Sequence, residues 1–333
     1  MNTMNTSIGL RSYWKKCRQV IEEKRALDLI FSLMSLLVIA ILPIFLTSAY
    51  WHGVLVVALF YALAAIGWNL LGGYTGQFSI APAAFCLIGM YSSALLVHYW
   101  DWNPYLGIFM SVVSTATIGL LLGWICLRLR GPYLALTTIA FAEIIRGIIR
   151  FSYDITRGDL GLSVPKLYSS GGSHLAYYYT FLLVVVIVQI FLYFLIKSKI
   201  GLYLQSIRDD EVAASGRGVN VVWWKTFAFA LSSLICGLAG GLYVHFIGLA
   251  SPEMGLIMNS GLIIGMAVIG GMGTLTGPLL GGLILQPLSE YVREFGVQHM
   301  VVFSFLIIIV VRFWRAGLYG SLKNMLERVI YHG

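Results

Sequence analysis

Few side chains in this 333-residue chain could do chemistry, and they gather in three places. The first is Glu143, Arg146 and Arg150, which stand inside an apolar stretch. On a helix, Glu143 and Arg146 are i, i+3 neighbours, so carboxylate and guanidinium can neutralise one another. A charge in such a stretch is costly and faces a bundle interior or a wet cavity. The pair could line a polar path, or it could brace two helices while Arg150 snorkels outward. The second place is the island Lys197–Lys225, with five Lys/Arg and three acidic residues in 29 positions. At its centre Glu211, Ala213, Ala214 and Gly218 form the pattern E-x-A-A-x-x-x-G. The alanines remove bulk, so a neighbouring surface can approach closely, and Gly218 permits a positive φ after a short helix. Asp209 and Asp210 suit a first helical turn, where the dipole favours anions. Arg208 adds a cation beside them, while Glu211 and Arg217 could pair with charges on a docked partner. The bland alternative is an interfacial helix anchored by Trp223, Trp224 and Lys225. The third place is a pair of glycine-rich breaks, Gly72, Gly73, Gly76 and Gln77, then Gly270, Gly271 and Gly273. Uncharged breaks in apolar segments point to a transport pathway, or to close helix packing through small residues.

Several chemistries are excluded. There is no G-x-x-x-x-G-K-[ST], so the chain has no nucleotide site of that kind, and there is no H-E-x-x-H. The six histidines (His52, His98, His174, His245, His299 and His332) are scattered, mostly at predicted span ends, where they read as interfacial. Cys17, Cys86, Cys126 and Cys236 are widely spaced and form neither a disulfide framework nor a metal site. A membrane enzyme would need a nucleophile–base or metal constellation, which is lacking. An ion-coupled secondary transporter would need a coupling-ion site, and Glu143 is the one central acidic residue. The basic residues are dispersed without a recognition motif, which argues against nucleic acid.

The elements that must position these groups are membrane helices. Hydrophobic residues make up 59% of the chain and charged residues 11%, against about 25% charged in soluble domains. Residues 29–100 contain no Asp, Glu, Lys or Arg, a run that crosses a bilayer more than once at roughly 20 residues per crossing. The runs are long and non-alternating, so helices follow rather than a β-barrel. The expected class is an all-α polytopic membrane protein with about ten spans. These are 28–49, 53–71, 78–98, 105–127, 132–150, 177–196, 226–248, 256–272, 277–295 and 299–315. With Met1 inside, all Lys and Arg but Arg146, Arg150, Arg157, Lys166 and Arg293 fall on the inner side. The positive-inside rule then places both termini in the cytoplasm. The net charge of +8 follows from this topology, with attraction to anionic membrane lipids as a by-product. Residues 1–27 form a basic arm, 28–315 the membrane domain, and 316–333 a cytoplasmic tail. The apolar run from Leu29 is too long for a signal peptide and reads as a retained span.

The sequence also resembles a known family. Q-S-I-R-D-D-E-V-A-A with Gly218 resembles the cytoplasmic EAA-type loop of ABC importer permeases. N-L-L-G-G-Y-T-G-Q-F-S-I-A-P-A-A-F at 69–85 and L-A-L-T-T-I-A-F-A-E-I at 134–144 resemble permeases of branched-chain amino-acid importers, the LivM-like branch. So do T-R-G-D-L-G-L at 156–162 and V-I-G-G-M-G-T-L-T-G-P at 268–278. A urea or amide importer branch shares much of this pattern. Arg157 departs from it, standing where the family often has a Gly-Gly pair. The resemblance implies a type II ABC importer-like permease in the bacterial inner membrane. It implies a second homologous permease subunit, two cytoplasmic ATPase subunits and a periplasmic substrate-binding protein. It implies that ATP and Mg are used by the ATPases and no cofactor by this chain. The island 197–225 then becomes the ATPase-coupling loop. The outer loop 151–176, with Asp101, Arg157, Asp159, Lys166, Arg293 and Glu294, becomes the region that orients the binding protein.

Overall fold

The computed structural model describes residues 34–46, 48–126, 129, 131–168 and 174–292, with 305, 308, 312 and 317–321. They fall into two compact units, residues 1–47 and 48–333. The described element of the first unit is the apolar helix α1 (Met34–Phe45).

The second unit is built around two helices, α2 (Ala49–Asn69) and α10 (Val221–Ile247). Leu59, Phe60 and Ala62 to Ala65 of α2 are fully buried, as expected of a helix that is apolar all round. It packs against α7 (His174–Lys197), α10, α11 (Ile257–Gly271) and α12 (Gly277–Val292). Helix α10 in turn packs on α3 (Pro82–Trp100) and α4 (Pro104–Ile125). Along these contacts small residues bring backbones together. A Cβ at Gly89 of α3 would fall on the Gly237 carbonyl of α10, and one at Gly281 of α12 on the Met266 carbonyl of α11. In lipid, where the hydrophobic effect does not drive helices together, such close packing holds the bundle. Helices α3, α4 and α5 (Pro132–Phe151) each begin with proline, whose missing N–H costs nothing in a first turn. Helix α5 sits at the edge, packed through Leu134, Thr138, Ala142 and Ile149.

Two polar segments close the ends. At one end, α8 (Lys199–Asp209) and α9 (Glu211–Gly216) lie between α7 and α10. At the other end, α5 leads into the single turn α6 (Tyr153–Thr156), a 3₁₀ turn Gly158–Leu160 and strand β1 (Leu162–Ser163). Strand β2 (Leu249–Ala250), just after α10, pairs with β1 antiparallel, Leu162 opposite Ala250 and Ser163 opposite Leu249.

The expected spans are matched in position more than in length. Among the described residues five helices are long and apolar enough to cross a membrane: Ala49–Tyr74, Pro82–Trp100, Pro104–Ile125, His174–Lys197 and Val221–Ile247. Helix α5 has 20 residues but carries Glu143, Arg146 and Arg150. Helix α11 has 15 residues, short of the roughly 20 that one crossing takes, and α12 is followed over Gly277–Val292, as far as the described residues reach. The expected span 299–315 lies almost wholly outside the described residues, as do the arm 1–27, Arg293 and Glu294. The first glycine break also starts later than expected. Helix α2 runs on through a π turn, Leu70–Tyr74, so Gly72 and Gly73 are buried and helical. A Cβ at Gly72 would stand 2.7 Å from the Trp68 ring, which folds over that turn to donate from Nε1 to the Ser79 carbonyl at 2.7 Å.

Candidate functional site

The polar island folds into two helices that share a cap. Ser198 starts α8 by accepting from Ile200 N at 3.1 Å, and Leu204 and Ile207 bury its inner face. Asp210 ends α8 and begins α9: its N–H donates to the Ser206 carbonyl, and its Oδ1 accepts from Val212 N at 2.9 Å and Ala213 N at 3.0 Å. Short polar side chains favour that N-cap position. Asp209, expected in the same turn, instead closes α8 and pairs with Arg208 at 3.2 Å. Helix α9 ends with Val219 N donating to the Ala214 carbonyl at 3.1 Å, and Gly218 adopts φ +85°. A left-handed residue after a helix is the usual place for glycine.

Glu211 faces inward. Its Oε1 meets Lys225 Nζ at 3.0 Å, with the lysine side chain 8% exposed. Helix α9 is thereby fastened to the first turn of α10, and Lys225 is no interfacial anchor. Ala214 is buried beneath α9, while Ala213, Ser215, Gly216 and Arg217 are exposed. Val212, Val222 and Trp223 are exposed beside them. The result is a low, mostly uncharged step with Arg217 at one side.

Both glycine breaks arrive at the same place. A Cβ at Gly73 would stand 2.6 Å from Gly273 N, so nothing larger than glycine lets the two segments meet. Asn69, in the last turn of α2, joins them: its Oδ1 accepts from Gly273 N at 2.7 Å and its Nδ2 donates to the Thr274 carbonyl at 2.8 Å. From α8, Arg208 Nη1 donates to the Gly73 carbonyl at 3.1 Å. The Arg208 stem covers Gly76, where a Cβ would lie 3.0 Å from its Cγ. Gly270 packs against α12, and Gly271 against Gly317 of the 317–321 turn. Gln77 is buried, and its Nε2 has no hydrogen-bond partner among the described residues. The sequence singled out the glycines but missed Asn69, a lone polar side chain just before L-L-G-G.

Glu143 and Arg146 form their expected pair, Arg146 Nη2 donating to Glu143 Oε2 at 2.5 Å, with both side chains partly exposed. At the far end Arg150 pairs with Asp159 at 2.7 Å. Arg157 is exposed with φ +58°, and Asp101, Asp159 and Lys166 are exposed too. His245, expected at an interface, is instead fully buried. Its Nδ1 lies 2.9 Å from the Pro165 carbonyl and its Nε2 2.8 Å from Ser93 Oγ. A carbonyl only accepts, so Nδ1 carries the proton and the Ser93 hydroxyl donates to Nε2. No local pattern announces a cavity of about 470 Å³ between α2, α7, α10 and α12, lined by Tyr50, Tyr61, His174, Tyr243 and Glu290.

The family described as "Branched-chain amino acid transport system / permease component" matches residues 50–311. The chain is 28% identical over 310 residues to the "High-affinity branched-chain amino acid transport system permease protein LivM" of Salmonella typhimurium. It is equally similar to the protein of that name from Escherichia coli. Each alignment covers 85% of this chain and 73% of the relative. A "Probable branched-chain amino acid transport permease protein LivH" of Methanocaldococcus jannaschii is 24% identical over 247 residues, 70% of this chain and 77% of the relative. No solved structure matches the chain. The matched residues take in both glycine breaks, the α8–α9 island and the Glu143–Arg146 pair, and the chain belongs to the permease components of branched-chain amino acid transport systems.

Proposed function

We propose that the chain is one of two homologous permease subunits in an ABC importer of the bacterial inner membrane. In this proposal it carries branched-chain amino acids released by a periplasmic binding protein. One of two cytoplasmic ATPases docks on α9, and ATP and Mg are handled there, with no cofactor in this chain. The observation that carries this is the exposed step of α9. It is built of small residues, fastened from below by Glu211–Lys225, and stands at the end where the glycine breaks converge. A rigidly held surface of Ala213, Ser215 and Gly216, flanked by exposed Val212, Val222 and Trp223 and with Arg217 at one side, suits a seat for another protein's helix or loop better than a solvated loop does. Ten crossings with both termini inside put that step in the cytoplasm. Helices α11 and α12 then cross as a pair, and Gly72, Gly73, Gly76, Gln77, Gly270, Gly271 and Gly273 stand at the inner mouth of the path.

The edge position of α5 supports a second subunit. An ion pair half-open to lipid is unfavourable, so Glu143 and Arg146 are covered by the partner permease and line the path between the two chains. On the outer side, Arg157, Asp159, Lys166 and Arg293 meet the binding protein.

The test is chemical cross-linking from α9. With Ser215→Cys in a chain whose Cys17 is serine, a photo-cross-linker attached to that thiol should join this chain to the co-encoded ATPase in isolated membranes. A cross-link to the binding protein, or none to the ATPase in an actively transporting membrane, would sink the docking.

A further inference from the structure

We infer that Arg208 is the positioning residue that passes movement of the α8–α9 element to both glycine breaks at once. This rests on the proposed docking of an ATPase on α9. It goes further by assigning to Arg208 a role directed into the membrane domain and away from the docked partner.

The first ground is mechanical. Helices α8 and α9 share Asp210 as a cap, with Asp210 N bound to the Ser206 carbonyl at 3.1 Å and Ala214 N bound to the Asp210 carbonyl at 2.9 Å. No free linker separates Arg208 from α9, so a push on α9 displaces Arg208 with it.

The second ground is where Arg208 reaches. Its Nε and Nη2 are held by Asp209 at 3.3 and 3.2 Å, which aims Nη1 at the Gly73 carbonyl 3.1 Å away. The same Nη1 would be 3.3 Å from a Cβ at Gly273, and the Arg208 Cα, Cβ and Cγ would lie 3.0–3.4 Å from one at Gly76. One side chain therefore bonds the segment that leads from α2 to α3 and lies beside the segment that joins α11 to α12. Those segments are locked to each other by Asn69, so a displacement of either is shared. A guanidinium suits this task, because its planar fork presents several donors in fixed directions, whereas a lysine presents a point charge on a flexible stem.

The third ground is that the junction has reason to exchange partners. Gln77 Nε2, four residues from Gly73, is buried and has no acceptor among the described residues. An unsatisfied buried donor is a standing cost. Withdrawal of Arg208 would free the Gly73 carbonyl in the segment that carries that donor. A second packed arrangement, with another donor on that carbonyl, would make the junction a two-state element that both ends can bias.

The experiment uses the complete transporter, with its ATPase and binding protein, reconstituted in liposomes. Leucine uptake and ATP hydrolysis are measured together for wild type, Arg208→Gln and Arg208→Lys. Leucine moved per ATP hydrolysed should fall about tenfold in Arg208→Gln, within the usual span of coupling effects. Arg208→Lys should lie between, since it keeps the charge and loses the fork. A merely structural role lowers the amount of assembled transporter and both rates together, leaving the ratio unchanged, and that result overturns the inference. So does loss of ATPase co-purification in Arg208→Gln, which would assign the residue to the docking surface. If Arg208→Gln does not reach the membrane at all, the ratio in Arg208→Lys decides in the same way. Failure of the docking itself shows separately, as an ATPase that does not co-purify with the wild-type chain.

Discussion

Glu211 and Lys225 show how a single pair fixes a surface. The lysine side chain is 8% exposed and the glutamate 22%. Removing one partner leaves the other charge poorly solvated, which costs about 3 kcal/mol or more in buried pairs. Glu211→Gln should therefore lower the melting temperature of the purified chain in detergent. Glu211→Gln combined with Lys225→Met should recover part of that loss. Equal melting temperatures for single and double variants would show that the pair does not hold α9. The side chains legible in the sequence were those whose partners are local. Glu143 and Arg146 meet because they are three residues apart on one helix, and Gly218 takes a positive φ where a short helix ends. Glu211 meets Lys225 only because α9 folds back on α10, and Asn69 meets Gly273 across 204 positions of chain. No local pattern encodes either contact.

Whole elements were legible where the chain marks its own boundaries. Proline opens α3, α4 and α5, and Asp210 and Gly218 bracket α9. The end of α2 was misplaced because Gly72 and Gly73 look like a break. In the fold Trp68 and Asn69 cover those glycines and carry the helix through a π turn. The cost of a wrong residue at Gly218 is conformational, since a Cβ there would meet nothing within 4 Å. Holding a β-branched residue at φ +85° costs about 1–2 kcal/mol or more. Gly218→Val should reshape the turn after α9 and abolish leucine uptake, while membrane immunoblots show the protein at normal level. Normal uptake, or disappearance of the protein, would count against α9 as the coupling surface.

At the scale of the whole molecule, each end of α10 is held by a polar contact to a segment outside the bundle. Glu211 meets Lys225 near its start, and Pro165 meets His245 near its finish. A cysteine at Asp154 should react with a membrane-impermeant thiol reagent added outside intact cells, and one at Ser215 should react only after the cells are opened. Cys86, Cys126 and Cys236 are buried and should not interfere, and Cys17 is replaced by serine. The reverse labelling pattern would invert the topology. The burial of α2 has a consequence for how the protein is made. The neighbours that enclose this helix are not yet synthesised when it enters the membrane, and α12 follows it about 200 residues later. At about 5–20 residues per second of synthesis, α2 spends on the order of 10–40 s facing lipid that it never faces again. It must be apolar on every side to survive that interval, and small enough on every side to be enclosed afterwards. Its run of Ala, Leu and Val meets both demands, so the most charge-free part of the chain records a stage of assembly as much as the finished structure.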